Sequence, residues 1–229
     1  MTTNRFLAVL FVFLLLPGCA EIGRTTTEAA RETVVQAQGT LERIKGNKEL
    51  DTFAFKRELA NARGVVILPS VVKAGFIGAA EGGNGVLLAR GADGTWSDPA
   101  FYTLASGSFG LQIGVQGVEM IMILRNDKAV RAVMDHQGKF GADAGLTVGI
   151  TGFGVEGSTT TNLGADVLVY TYSFAGAYGG VSLEGAVLAR RNDLNAGYYG
   201  EGATPRAIVI DRAYGNPQAS GLKAALAGG

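Results

Sequence analysis

Residues 64–89 read GVVILPSVVKAGFIGAAEGGNGVLLA and show a pattern that runs through most of the chain. Short apolar runs, here Val65–Leu68 and Val86–Ala89, alternate with glycine-rich segments. Apolar runs bounded by turn-forming residues are typical of β-strands. The pattern therefore predicts strands at both runs. We interpret Gly82–Gly85 as a hairpin turn, because it lacks the Lys-Ser/Thr of a phosphate-binding loop.

The same alternation continues towards the carboxyl terminus. Further apolar runs that predict strands lie at 111–115, 118–124, 146–150, 167–172 and 181–189. The chain holds 35 glycines, about twice the usual share, which suggests closely packed strands. These features favour an α+β fold in which amino-terminal helices pack on a mostly antiparallel, glycine-rich sheet. We expect the sheet to be curled or barrel-like, with short inserted helices.

Two amphipathic helices are predicted before the first strand. Apolar residues recur at spacings of four and three from Ala30 to Ile44, and Thr27 is a suitable N-cap. A second helix is predicted over Thr52–Arg63, ending at Gly64. Short helices are also expected at 126–134, 192–198 and 218–226.

The amino terminus has the pattern of a secretory signal. Phe6–Leu16 is an uninterrupted apolar run after Arg5, and Leu16-Pro17-Gly18-Cys19 resembles a bacterial lipobox. We therefore expect a lipoprotein signal peptide over residues 1–18, acylation at Cys19, a tether over 19–27 and a single domain over 28–229. The alternative is an ordinary cleaved signal with an unmodified thiol.

The residues after Cys19 indicate a location. Ala20 and Glu21 resemble the outer-membrane sorting pattern, because no Asp directly follows the cysteine. The expected location is the periplasmic side of a bacterial outer membrane, where the acyl chains would hold the protein without a transmembrane helix.

Charge and residue counts argue against several function classes. Equal numbers of basic and acidic residues, 20 of each, give no net charge to attract nucleic acid. His136 is the only histidine, so a multi-histidine metal site is not expected, and neither is a cofactor. Gly152–Gly157 has the letters of a dinucleotide motif, but the following residues do not predict a helix. A hydrolase would have to pair Ser108 with His136, and is a third alternative.

An ordered set of segments resembles the SYLF domain, a lipid-binding module of bacterial lipoproteins and some eukaryotic adaptors. The segments that carry the resemblance are 62–69, 82–86, 96–99, 108–114, 139–145, 170–173, 179–185, Gly176, Arg190, Asn195, Tyr199 and Gly200. The resemblance implies a phospholipid-binding domain without enzymatic activity. It also implies that some eukaryotic relatives recognise phosphoinositides, that some fungal ones bind actin, and that lipid contact involves an amphipathic segment corresponding to Lys48–Arg63.

Four basic residues are candidate lipid-headgroup ligands. Lys73, Lys139, Arg190 and Arg191 flank glycine-rich turns at predicted strand ends, where a phosphate could meet both cationic side chains and free N–H groups. Solvated surface charge is the simpler interpretation. The expected partner is a phospholipid membrane. The alternative function is a structural or interaction module that binds an envelope protein and has no lipid affinity.

Overall fold

A computed structural model describes residues 24–48, 52–75, 78–109, 114–135, 146–152, 164–175 and 186–228. The described strands are β1 (Gly64–Gly75), β2 (Gly78–Ala89), β3 (Ala100–Phe109), β4 (Gly114–Leu124), β5 (Val148–Gly152), β6 (Val167–Ala175) and β7 (Val187–Arg190). The described helices are α1 (Thr26–Gly46), α2 (Thr52–Asn61), α3 (Asp127–Asp135), α4 (Asn192–Tyr199), α5 (Pro205–Val209) and α6 (Ser220–Ala227).

These strands form one curled sheet in the order β5-β6-β4-β1-β2-β3-β7. Neighbouring strands are antiparallel except for the pair β5 and β6, which is parallel. The prediction of an α+β fold with a mostly antiparallel curled sheet is therefore confirmed. The runs predicted at 118–124, 146–150 and 167–172 correspond to β4, β5 and β6.

Hydrophobic clusters cover both faces of the sheet. In β1, Val66 and Leu68 belong to one cluster, whereas Val65 and Ile67 belong to the other, because successive strand residues point to opposite faces. Helices α1, α2, α4 and α6 cover the Val65 face, and α3 and α5 contribute to the opposite cluster. Burial on both faces explains why the central strands read as continuous apolar runs.

The first helix buries the predicted apolar stripe but begins earlier than expected. Its N-cap is Thr25 rather than Thr27, because Thr25 and Glu28 form a capping box in which each side chain accepts the other's backbone N–H. The second helix ends at Asn61 rather than Arg63. Arg63 instead donates its backbone N–H to Leu124 O at 2.9 Å and so joins the sheet.

A buried polar contact fixes α1 on the sheet. Glu119 in β4 accepts a hydrogen bond from the Thr40 hydroxyl at 2.8 Å and from Arg43 Nε at 3.0 Å. The Glu119 side chain is almost enclosed, whereas that of Arg43 is about half exposed. The carboxylate raises the pKa of Arg43, chiefly through the side-chain hydrogen bond.

The interpretation of Gly82–Gly85 as a hairpin turn is wrong. These residues lie inside β2 and pair with β3, and β2 already begins at Gly78. The register of β1 against β2 shifts between Ile67 and Val72. This irregularity brings the β1 backbone so close to β2 that glycine is needed there, rather than at a turn.

Two elements were not predicted, and two predicted runs are only partly described. Strand β3 and the short helix α5 lack a clear periodic pattern in the sequence. Residues 111–113 and 181–185, which belong to predicted strands, lie outside the described residues. Within the described ranges, no helix combines the length and apolar character that crossing a bilayer requires. Residues 1–23, including Cys19, lie outside those ranges.

Candidate functional site

The outer side of α2 is the candidate membrane-contact surface. Phe55 and Leu59 of this helix are buried, but Phe53 is 75% exposed. Lys56 and Arg57 are also exposed, and they follow Phe53 by three and four residues. Residues at these spacings share one side of a helix. An exposed aromatic ring and two cations therefore lie together on the side opposite the core.

Positive charge from the end of α1 adds to this surface. Lys45 and Lys56 line a shallow cavity of about 450 Å³. The Nζ of Lys45 donates to the carbonyl oxygens of Ala225 at 2.8 Å and Gly228 at 3.2 Å, so it caps the end of α6. Burial, and secondarily the nearby charge of Lys56, lower the pKa of Lys45. The two ammonium groups are thus close enough to interact, with Glu42 as a partial counter-charge.

The basic residues in and just before α2 differ in how far acidic residues neutralise them. Glu58 lies 3.2 Å from the Arg125 guanidinium and 3.3 Å from that of Arg57, so Arg57 is partly neutralised. Lys48 and Lys56 are exposed and have no ion pair or hydrogen bond among the residues that the structure describes. These two lysines are therefore available to an external anion.

The predicted headgroup ligand Lys73 lies in β1 and has an internal partner. Its Nζ is 2.8 Å from Glu81 Oε1 in β2, with the Lys73 side chain 14% exposed and that of Glu81 4% exposed. A nearly enclosed ion pair of this kind leaves little positive charge for an external ligand. A lipid phosphate at Lys73 would have to compete with the Glu81 carboxylate.

The structure places Arg190 and Arg191 together at the end of β7. Arg190 Nε donates to Met134 O at 3.0 Å. Arg191 donates to both carboxylate oxygens of Asp193, at 2.9 and 2.8 Å, and to Asn84 Oδ1 at 2.8 Å. The structure gives no contact between this pair and Lys73. Lys139 lies outside the described residues, so the headgroup role of the four residues stays a prediction.

Motif residues quoted above assemble around the loop before β3. Asp98 accepts hydrogen bonds from Lys223 Nζ at 2.7 Å and from the Asn216 backbone N–H at 3.0 Å. Asn195 Oδ1 accepts the backbone N–H of Phe101 at 3.0 Å, and Tyr199 donates its hydroxyl hydrogen to Pro99 O at 2.7 Å. These contacts hold the loop against α4 and α6, which gives the motif a structural role.

A second cleft, of about 600 Å³, lies beside this loop. Trp96, Asp98, Arg212, Tyr214 and Lys223 are among its lining residues. Tyr214 ends a ladder of edge-to-face rings that runs through Tyr199 and Tyr198 to Phe101. Burial raises the pKa of Tyr198 to about 12 and also raises that of Tyr199. These phenols therefore stay neutral at physiological pH and act as packing groups rather than bases.

The hydrolase alternative falls mostly outside the described residues. The backbone of Ser108 pairs with Ala79 in β3, but the Ser108 side chain and all of His136 are not described. Among the side chains that are described, no group of three His, Cys, Asp or Glu residues could hold a metal ion. The pairing of Ser108 with His136 stays a prediction.

Sequence reasoning missed the exposure of Phe53 and the contacts of Lys45 with α6. The spacing of Phe55 and Leu59 defined the buried side of α2, and Phe53 lies off that side. Its position off the buried side therefore indicated, from the sequence, that Phe53 is exposed. No sequence signal identified Lys45, because its contacts with α6 join residues that are 180 and 183 positions apart.

Comparison with known proteins finds one family across the carboxyl-terminal half. The model of the family described as Ysc84, Las17-binding protein actin regulator, matches residues 105–228. Protein YSC84 of Saccharomyces cerevisiae is 32% identical over 166 residues, 72% of this chain and 35% of that protein. SH3 domain-containing YSC84-like protein 1 of Rattus norvegicus is 37% identical over 142 residues, 62% of this chain and 41% of that protein.

A further relative is the yeast protein named LAS seventeen-binding protein 3. It is 30% identical over 156 residues, which are 67% of this chain and 34% of that protein. The chain thus spans roughly a third to two fifths of the length of the curated relatives it matches.

Proposed function

Since the chain belongs to the Ysc84 family, whose module is the SYLF domain, we propose that it is a non-enzymatic phospholipid-binding protein. In this proposal the acyl chains on Cys19 anchor the protein, and the outer side of α2 contacts the lipid surface. The proposed location is the periplasmic side of a bacterial outer membrane, as the residues around Cys19 predict.

The exposure of Phe53 is the observation that carries the proposal. Full burial of a large aromatic side chain stabilises a protein by about 1.5–3 kcal/mol. Phe53 is 75% exposed, so the folded protein does not gain most of this free energy. Inserting the ring into the interfacial region of a bilayer recovers part of it. Lys48 and Lys56 each add about 1 kcal/mol at an anionic surface. The sum corresponds to weak binding by the domain alone.

Weak intrinsic binding is sufficient for a tethered domain. Each buried methylene of an acyl chain contributes about 0.8 kcal/mol, so a multiply acylated Cys19 gives stable anchoring. Because the tether keeps the domain close to the membrane, α2 meets the lipid surface at a high effective concentration. The anchor would fix the protein at the membrane, and α2 would orient the domain on it.

Flotation with lipid vesicles tests the contact surface. A soluble form that begins after Cys19 should float with vesicles containing phosphatidylglycerol and much less with pure phosphatidylcholine. Phe53→Ser and Lys56→Glu should each reduce the floating fraction severalfold. Val35→Ser is the matched control, because Val35 is an exposed apolar residue of α1, 61% accessible, and should leave flotation unchanged.

Two results would contradict the contact proposal. Absence of flotation with every headgroup tried would remove lipid binding by the domain. Equal losses with Phe53→Ser and Val35→Ser would remove the assignment to α2. The anchor is tested separately by mass spectrometry of the protein from native membranes, where an unmodified Cys19 would contradict acylation.

Protein binding is the second candidate function, and the cleft beside the motif loop favours it. The family is described as Las17-binding protein actin regulator, and one relative is named LAS seventeen-binding protein 3. The cleft of about 600 Å³ places Tyr214 beside the charged residues Asp98, Arg212 and Lys223. Pull-down from envelope extracts should then give a saturable partner that Tyr214→Ser loses and Phe53→Ser keeps.

A further inference from the structure

A third cleft, of about 220 Å³, lies between the end of β2, α3 and the segment after α5. Four arginines and one aspartate are among its lining residues, and with Asp93, which pairs with Arg212, this leaves two positive charges in excess. The charged lining residues are Arg63, Arg90, Arg131, Arg212 and Asp127. Arg63 ends the segment Lys48–Arg63, which the family resemblance connects with lipid, but the sequence did not predict this cluster, because its members come from four separate segments of the chain.

Two of these arginines already have carboxylate partners. Arg63 Nε donates to Asp127 Oδ1 at 2.9 Å. Arg212 Nη1 lies 3.4 Å from Asp93 Oδ2, and its guanidinium also donates to the hydroxyl and carbonyl oxygens of Thr95 at 2.6 and 2.8 Å. Their charges are therefore partly compensated within the protein.

The other two arginines have no carboxylate partner among the described residues. Arg90 donates to the carbonyl oxygens of Ala60 and Leu59, and its guanidinium lies 4.7 Å from the centre of the Trp96 ring. Its enclosed Nε–H has no acceptor in the part of the chain that the structure describes. Burial, with a smaller contribution from Arg63, lowers the pKa of Arg90. A partly desolvated cation without an anion is unfavourable, and a bound anion would remove that cost.

Arg131 is the accessible member of the cluster. It is exposed on α3 and has no hydrogen bond or ion pair within the described part of the chain. It nevertheless lines the same cleft as Arg90. An anion that enters the cleft can therefore meet the guanidinium of Arg131 at the rim, close to the positive charge of Arg90.

The backbone around Arg212 is adapted to hold its guanidinium in this place. Arg212 has a φ of 53°, a left-handed conformation that is costly for a residue with a side chain. A Cβ at position 91 would lie 2.4 Å from Arg212 Nη2, so Gly91 allows the guanidinium to take this position without a shift of its side chain. The hydrogen bonds to Thr95 and the ion pair with Asp93 hold the guanidinium there.

We propose that the cleft formed by Arg63, Arg90, Arg131 and Arg212 binds a phosphate monoester. Guanidinium groups bind phosphate oxygens through paired charge-assisted hydrogen bonds, and a dianion matches the excess charge better than a monoanion does. The cleft is smaller than sites for drug-sized ligands, about 300–1,000 Å³, so it fits a phosphate group rather than a whole nucleotide. Lys48, Phe53 and Lys56, which are proposed to contact lipid, do not line this cleft, so the phosphate site does not depend on the proposed membrane contact.

Calorimetric titration of the full-length protein in non-ionic detergent at low salt tests this proposal. Inorganic phosphate and glycerol 1-phosphate are the soluble probes. Mixed micelles with phosphatidic acid, a monoester, or phosphatidylglycerol, a diester, are the lipid probes. We expect saturable binding that Arg131→Glu weakens by about tenfold or more, as loss of a charge-assisted hydrogen bond predicts. Arg31→Glu, an equal charge change at an exposed site on α1, should leave the affinity unchanged.

The probes separate the two sources of the phosphate. Binding of the soluble probes assigns the cleft to a free phosphate monoester, whereas binding of phosphatidic acid alone assigns it to a lipid headgroup. No saturable binding of any monoester overturns the proposal. Equal weakening by Arg31→Glu and Arg131→Glu also overturns it, because general charge would then explain the attraction. Phe53→Ser should not change phosphate affinity, so this proposal and the membrane contact can fail independently.

Discussion

Gly83 and Gly85 in β2 face carbonyl oxygens of β1 at distances that no side chain tolerates. A Cβ at Gly83 would lie 2.0 Å from Ser70 O, and one at Gly85 would lie 2.3 Å from Ile67 O. Gly107 in β3, by contrast, has nothing within 4 Å of such an atom. Glycine at the first two positions is therefore a requirement of strand packing.

We predict that Gly85→Ala destabilises the protein by more than about 2 kcal/mol, because the β1 backbone must move away from β2. The measurement is the free energy of unfolding in urea. Gly107→Ala is the matched control and should change stability by less than about 0.5 kcal/mol. Similar losses for the two variants would mean that the close approach of β1 and β2 does not matter.

At the scale of elements, Asp166 joins three of them. It precedes β6, and its carboxylate accepts hydrogen bonds from the Thr147 backbone N–H at 3.0 Å, just before β5, and from Asn126 Nδ2 at 2.7 Å, just before α3. The hydrogen bond from the Thr147 backbone is the largest cause that lowers the pKa of Asp166 below its ordinary value of 3.8. The folded state thus favours the ionised carboxylate.

When folding lowers the pKa of a carboxyl group, the ionised group stabilises the folded protein at pH values above its ordinary pKa. This stabilisation is lost as the pH falls through the pKa of the folded state. We predict that Asp166→Asn costs about 1–3 kcal/mol at pH 7, and that its deficit relative to the parent protein shrinks as the pH falls below about 4. Urea unfolding at several pH values measures both effects. Asp211→Asn is the control, because Asp211 has only a 3.8 Å ion pair on the surface. A deficit that is constant with pH would contradict the role of the charge.

At the scale of the whole molecule, α1 closes one face of the sheet. It contacts α2, α4 and α6 as well as β1, β2 and β4. Leu41 of α1 and Trp96, the only tryptophan, are buried in the same hydrophobic cluster. Tryptophan fluorescence therefore reports on the packing of α1 even though Trp96 precedes β3.

We predict that Leu41→Ala lowers the free energy of unfolding by about 2–5 kcal/mol, as expected for a large-to-small change in a core. Unfolding should remain a single transition, because this cluster includes residues from both the helices and the sheet. Far-ultraviolet circular dichroism and Trp96 fluorescence, followed together in urea, provide the measurement. Separate transitions by the two probes would show that α1 unfolds independently of the sheet.

Most of the helices and strands, and the family, could be predicted from local patterns of residues. The helical spacing of Ala30 to Ile44 and the apolar runs in β1, β4 and β6 record which sides of each element are buried, and burial is a local pattern in the sequence. The ordered motif segments were sufficient to indicate the SYLF domain. Even the exposure of Phe53 could be derived from its position off the apolar side of α2.

Contacts between residues that are distant in the sequence could not be predicted in this way. The strand order β5-β6-β4-β1-β2-β3-β7, the place of Gly82–Gly85 within a strand, and the ion pair that engages Lys73 all depend on long-range contacts. The arginine cleft depends on them most, since its charged residues come from four separate segments of the chain. Periodicity shows that a side chain is buried or exposed, but its partner is chosen by the packing of whole elements, which no local pattern encodes.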